Sequence, residues 1–99
     1  MTPEAKVKKK VRETLKELGA YYAMPVTGGY GVSGTPDFLV CWHGKFFGIE
    51  CKANGNKPTP LQERAMQAIQ AAGGASIVID ENNAGLLGSW MKEHEDTND

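Results

Sequence analysis

The chain has 99 residues, 40% of them hydrophobic and 23% charged, which suits one small domain with a single core. No apolar stretch approaches the ~20 residues needed to span a bilayer, and no apolar run follows the basic N-terminal residues, which argues against a membrane anchor or a secretory signal. The net charge of −1 hides an asymmetry: Lys6, Lys8, Lys9, Lys10, Arg12 and Lys16 crowd the first helix, while the last residues are acidic. An intracellular, cytoplasmic protein without membrane contact is expected. Local positive charge of this kind is either a solvated helix face or an electrostatic footprint for nucleic acid.

The first element is a complete helix in outline. Thr2 suits the N-cap, Pro3 the first helical position and Gly19 the C-terminal cap. Val7, Val11, Leu15 and Leu18 recur at helical spacing and form one apolar stripe. A short extended segment, AYYAMPV, follows, then the loop TGGYGVSGTP with four glycines over positions 28–34. Next come two apolar runs around a His-Gly-Lys turn, FLVCW and FFGIEC, which read as a β-hairpin. After the polar loop ANGNKPTP, a second helix is predicted from about Pro60 to Ala72, capped by Thr59 and ended by Gly73-Gly74. ASIVI reads as a buried strand and AGLLGSWMKEH as a last short helix. The order is α-β-β-β-α-β-α, with one domain over residues 1–93 and an acidic, flexible tail over 94–99.

The hairpin carries charge where a core element should not. With Gly44-Lys45 as the two-residue turn, Trp42 would face Phe47, Val40 Ile49, Phe38 Cys51, and Asp37 Lys52. One face then shows Phe38, Val40, Trp42, Phe47, Ile49 and Cys51, all apolar. Asp37, Glu50 and Lys52 converge at one end of the other face, with Glu50 diagonal to Asp37. The two cysteines, Cys41 and Cys51, fall on opposite faces, so no disulfide is expected. A structural ion pair would account for Lys52 but leaves two carboxylates against one ammonium, and an unpaired buried charge is costly. A divalent cation removes that cost, and two converging carboxylates are typical oxygen ligands for Mg²⁺.

These residues resemble the PD-(D/E)xK nuclease motif, here Pro36-Asp37 and Glu50-Cys51-Lys52. Gly34-Thr35-Pro36-Asp37, the hairpin, Ile49-Glu50-Cys51-Lys52, a polar loop and Leu61-Gln62 at a helix start resemble the VRR-NUC (virus-type replication-repair nuclease) branch over roughly positions 3–80. The resemblance implies an α/β fold with a restriction-endonuclease-like core, a mixed β-sheet flanked by helices. It implies Asp37, Glu50, Lys52 and Gln62 as catalytic residues, with Asp37, Glu50 and the Cys51 backbone carbonyl on Mg²⁺, for which Mn²⁺ could substitute. The family's early glutamate corresponds to Glu4, a further metal ligand or ligand-orienting group. Glu4 also lies on the side of the helix that carries Val7 and Val11, where a charge is out of place; favourable placement at a helix N-terminus is the alternative.

Gln62 has a second explanation, because Thr59-Pro60-Leu61-Gln62 fits a capping box. Lys8, Lys9, Arg12, Lys57 and Arg64 are candidates for DNA phosphate contact, and Tyr30 for stacking on a base. No base-reading motif is evident, so recognition of shape is expected over recognition of sequence. Small members of the family resemble phage junction resolvases working as homodimers. The implied function is therefore a Mg²⁺-dependent, structure-selective DNA endonuclease that resolves four-way (Holliday) junctions in a bacterial or phage-infected cell. A non-catalytic nucleic-acid-binding module with the same fold is the alternative.

Overall fold

The computed structural model describes residues 1–26 and 33–95. Tyr30 and residues 96–99 of the acidic tail lie outside them. Helix α1 spans Pro3–Leu18, strand β1 Tyr21–Ala23, β2 Phe38–Trp42, β3 Lys45–Cys51, helix α2 Pro60–Ala71 and β4 Ala75–Ile79. A 3-10 turn, Ala84–Leu86, leads into α3, Leu87–His94. The expected order is observed.

Both long helices begin and end where their caps dictate. The Thr2 hydroxyl accepts the Ala5 N–H, and Gly19 leaves α1 with φ of 71°, a left-handed conformation that costs glycine little. The Trp42 indole N–H donates to the Leu18 carbonyl at 2.9 Å, which satisfies one open helix-end acceptor and fixes α1 to the end of β2.

The four strands form one sheet in the order β1-β2-β3-β4. The first two pairings are antiparallel and β3-β4 is parallel, so the sheet is mixed and α2 is the crossover. Phe38, Val40, Trp42, Phe47, Ile49, Cys51, Ala75 and Ile79 are buried together with Val7, Val11 and Leu15 of α1 and Leu87 and Met91 of α3. Each fully buried Phe, Leu or Ile contributes roughly 1.5–3 kcal/mol. Trp90 packs edge-on against Phe47 with ring centroids 5.7 Å apart, which places α3 on that same face. Helix α2 covers part of the opposite face. Its Ile69 lies where a side chain on Gly48 would stand, 2.5 Å from an added Cβ, so the bare Gly48 admits the helix.

The hairpin register differs from the expected one by two residues. Phe38 faces Ile49, Val40 faces Phe47 and Trp42 faces Lys45. The turn is therefore His43-Gly44, not Gly44-Lys45. Both turn residues have positive φ, 50° and 77°, as a type I′ turn requires, and His occupies that region more readily than most side chains. A slip of two preserves the face of every side chain, so the apolar face stays intact. What changes is who stands opposite whom. Extended by one step, the register sets Asp37 directly across from Glu50, instead of opposite Lys52.

Candidate active site

Asp37, Glu50 and Lys52 meet at the end of the sheet, where the head of β2, the end of β3 and the first turns of α1 and α2 come together. The segment before Asp37 is held by fit. Gly34 has φ of 82°, and a Cβ there would lie 2.4 Å from the Leu61 carbonyl oxygen, so the chain runs against the first turn of α2. Pro36 is buried. Asp37 is then locked from the other side, because its Oδ2 accepts the Cys51 N–H at 2.8 Å.

Glu50 is the one buried charged residue among the described residues, 2% exposed. Its Oε2 lies 3.4 Å from the Lys52 ammonium, while its Oε1 is buried with no hydrogen-bond partner. Burial chiefly, and then the negative charge of Asp37, pushes the Glu50 carboxyl up to about 7 against the opposing charge of Lys52. Lys52 itself is anchored through its backbone N–H, which donates to the Ile79 carbonyl at 2.9 Å. The side chains of Glu50 and Lys52, two residues apart, point to one face.

Lys8 of α1 completes the cluster. Its ammonium lies 3.6 Å from Asp37 Oδ1 and 3.7 Å from Glu4 Oε2. Glu4 and Lys8 stand four apart on α1, the spacing at which opposite charges meet on a helix. The contact of Lys8 with Asp37 instead joins distant segments of the chain. Lys8, expected at DNA phosphates, thus stands at the carboxylates, and Glu4 joins the cluster through it.

Cys51 contributes backbone rather than sulfur. Burial chiefly, and then the charges of Asp37 and Glu50, pushes its thiol up to about 12, so the sulfur stays protonated. In an extended strand a residue's N–H and C=O leave on the same side, so the Cys51 carbonyl is directed to the side of Asp37. Both cysteines are free.

Gln62 makes the capping box. Its Oε1 accepts the Thr59 N–H at 2.9 Å while its own N–H donates to the Thr59 hydroxyl at 3.2 Å. That uses the side-chain oxygen and leaves the Nε2 donors. Lys9, Lys57 and Arg64 are exposed and Arg12 partly so. Arg64 lines a shallow hollow with Ser33, Leu61, Ala65 and Ala68, beside the segment leading to Asp37.

The donor set fits a hard divalent cation. Asp37 and Glu50 are opposed carboxylates, and the orphaned Glu50 Oε1 is a buried acceptor with nothing to accept from. Among the described residues no three His, Cys, Asp or Glu side chains gather into a ready-made cage. The fit is to Mg²⁺, which commonly takes one or two carboxylates and keeps waters.

No family model matches the chain. Over 74 residues it is 40% identical to a protein named "Putative nuclease p44" of Acyrthosiphon pisum secondary endosymbiont phage 1, covering 74% of this chain and 76% of that one. A solved structure described as a VRR-NUC domain superposes with a TM-score of 0.74 at 27% identity, over 95% of this chain and 98% of the other. A second, described as a VRR-NUC domain protein, has a TM-score of 0.68 over 95% and 88%, and at 15% identity attests the fold alone. Phage relative, shared fold and the sequence motif agree: the chain belongs to the VRR-NUC family of nuclease domains.

Proposed function

We propose that this protein is a Mg²⁺-dependent, structure-selective DNA endonuclease, with Mn²⁺ as a substitute, which cuts four-way junctions as a homodimer. The observation that carries this reading is the pairing of Asp37 and Glu50, one oxygen of which is buried and unpartnered, with the Lys52 ammonium 3.4 Å from Glu50. The Lys52 ion pair leaves the desolvation of that oxygen uncompensated, a cost that a bound cation would offset.

Phosphodiester hydrolysis needs an activated water and an offset for charge on the transition state. A bound Mg²⁺ would supply both, polarising the phosphoryl oxygen and lowering the pKa of its water. Asp37 Oδ1 and Glu50 Oε1 are the oxygens to hold it, with the Cys51 carbonyl beside them. The Cys51 N–H keeps Asp37 from rotating. Lys52 holds the attacking water or offsets the developing negative charge. Gln62 can act there only as a donor through Nε2, since its oxygen caps α2. Lys9, Arg12, Lys57 and Arg64 grip backbone phosphates, a contact that reads shape rather than sequence.

A two-fold dimer would present two sites to opposing strands of a junction, as repair and recombination require. The exposed sheet face supports a partner. Tyr21 faces Cys41 and Cys41 faces Phe46, with Tyr21 75% and Phe46 42% exposed, and β1 is one of the two edge strands of the sheet. Leu87 and Met91, by contrast, belong to the core.

The test is a labelled four-way junction and a matched linear duplex, each with Mg²⁺ or EDTA, beside Lys52→Ala. Metal-dependent cutting of the junction, lost in the variant, is expected. Cutting of linear DNA alone removes the junction claim. A folded protein that binds DNA but cuts nothing with Mg²⁺ or Mn²⁺ returns the reading to a binding module. Sedimentation of the free protein reads the dimer.

A further inference from the structure

Asp37 has two carboxylate oxygens, and both are spoken for. The Cys51 N–H holds Oδ2, and the Lys8 ammonium faces Oδ1 at 3.6 Å. The oxygen that Cys51 leaves open, the one a metal would take, is where Lys8 stands. We infer that Lys8 is a resident counter-cation: it neutralises Asp37 while the site lacks a metal, yields that oxygen to a divalent cation, and then grips a phosphate of the DNA. The inference rests on the metal-dependent reading above and adds to it a positioning residue that couples metal loading to DNA binding.

Charge balance favours the exchange. Glu4, Asp37 and Glu50 carry three negative charges when ionised, against two positive charges from Lys8 and Lys52. One divalent cation together with Lys52 balances the three carboxylates, leaving no excess for Lys8 to neutralise. With Lys8 still at Asp37, the cluster would hold one positive charge too many, and ammonium and metal would compete for one oxygen.

The geometry makes the exchange easy. At 3.6 and 3.7 Å the ammonium sits in loose ion pairs rather than tight hydrogen bonds, and its side chain is 31% exposed. Exposed pairs of this kind are weak, and lysine is a flexible point charge. Coupling of this kind is reciprocal, so DNA must tighten the metal as the metal tightens DNA.

Mn²⁺ binding to the full chain without DNA, followed by electron paramagnetic resonance of free Mn²⁺, tests the first half. Lys8→Met should bind Mn²⁺ about five- to tenfold more tightly than the wild type, Lys8→Gln should do likewise, Lys16→Met should be unchanged, and Asp37→Asn should bind more weakly. Equal or weaker binding by both Lys8 variants, with Asp37→Asn still weakened, overturns the inference and leaves the nuclease reading standing. No binding by any form overturns both. DNA binding by fluorescence anisotropy, in EDTA or in Ca²⁺, tests the second half. In Ca²⁺ the salt dependence of Lys8→Met should be shallower than wild type by about 0.9 in slope, and in EDTA the two slopes should coincide. The same difference in both conditions would make Lys8 a constant phosphate contact and sink the exchange.

Discussion

Asp37 accepts the Cys51 N–H at 2.8 Å, a bond that joins the head of β2 to the end of β3. It gives Asp37 two separable duties, one structural through Oδ2 and one electrostatic through its charge. Asp37→Asn retains an oxygen acceptor and loses the charge. Its unfolding free energy should change by less than about 1 kcal/mol, while cleavage falls at least ~100-fold. Asp37→Ala also leaves the Cys51 N–H unpaired and should cost about 1–3 kcal/mol in addition. Urea unfolding and junction cleavage on the two variants check this; equal stability of the two would show that the Cys51 bond matters little.

Glu50 predicts an unusual pH dependence. Its carboxyl is pushed from 4.5 to about 7, chiefly by burial and then by Asp37. Between those values the folded chain holds a proton that the unfolded chain has released. Stability from this group is therefore full below about pH 4.5, declines as pH rises, and is gone above about 7, a span on the order of 3 kcal/mol. Glu50→Gln cannot titrate. In EDTA, the wild type should lose stability relative to Glu50→Gln as pH rises from 5 to 8, measured by urea unfolding. Parallel profiles would mean that Glu50 is ionised throughout.

The segment that delivers Asp37 depends on Gly34. A methyl group there meets the Leu61 carbonyl oxygen at 2.4 Å and must also adopt φ of 82°. Backbone on both sides leaves nothing flexible to yield, so Gly34→Ala should cost at least about 1–2 kcal/mol and displace Asp37. A lowered melting temperature together with a reduced cleavage rate is expected. A variant that melts and cleaves like the wild type would mean the loop is free to shift away from α2.

Most of this arrangement was legible from short-range rules. Thr2, Gly19 and Thr59 mark helix ends because unpaired N–H and C=O groups must find partners nearby, and the alternation of Phe38, Val40 and Trp42 fixes a face. The register of the hairpin was not, since a slip of two residues gives the same apolar face. Only the preference of His43 over Lys45 for positive φ separates the two, and that is a small difference in energy. That slip hid the direct opposition of Asp37 and Glu50. The place of Lys8 at Asp37 was hidden for a different reason: nothing in local spacing reports where α1 lies against the end of the sheet.

Gln62 is the residue for which local and long-range readings compete. The structure shows it capping α2 through Oε1, and the proposed site uses only its Nε2 donors. Gln62→Glu separates the two roles, because glutamate serves a capping box as well as glutamine but cannot donate. Its stability should match the wild type, while cleavage should drop about tenfold through loss of the donors and the added negative charge. Thr59→Ala provides the converse, removing the cap at a cost of about 1 kcal/mol with the donors intact, so its cleavage rate at 25 °C should hold. The two variants are to be compared by thermal melting and by single-turnover cleavage of the junction. Full activity in Gln62→Glu would confine Gln62 to the cap and leave Asp37, Glu50 and Lys52 to carry the chemistry without it.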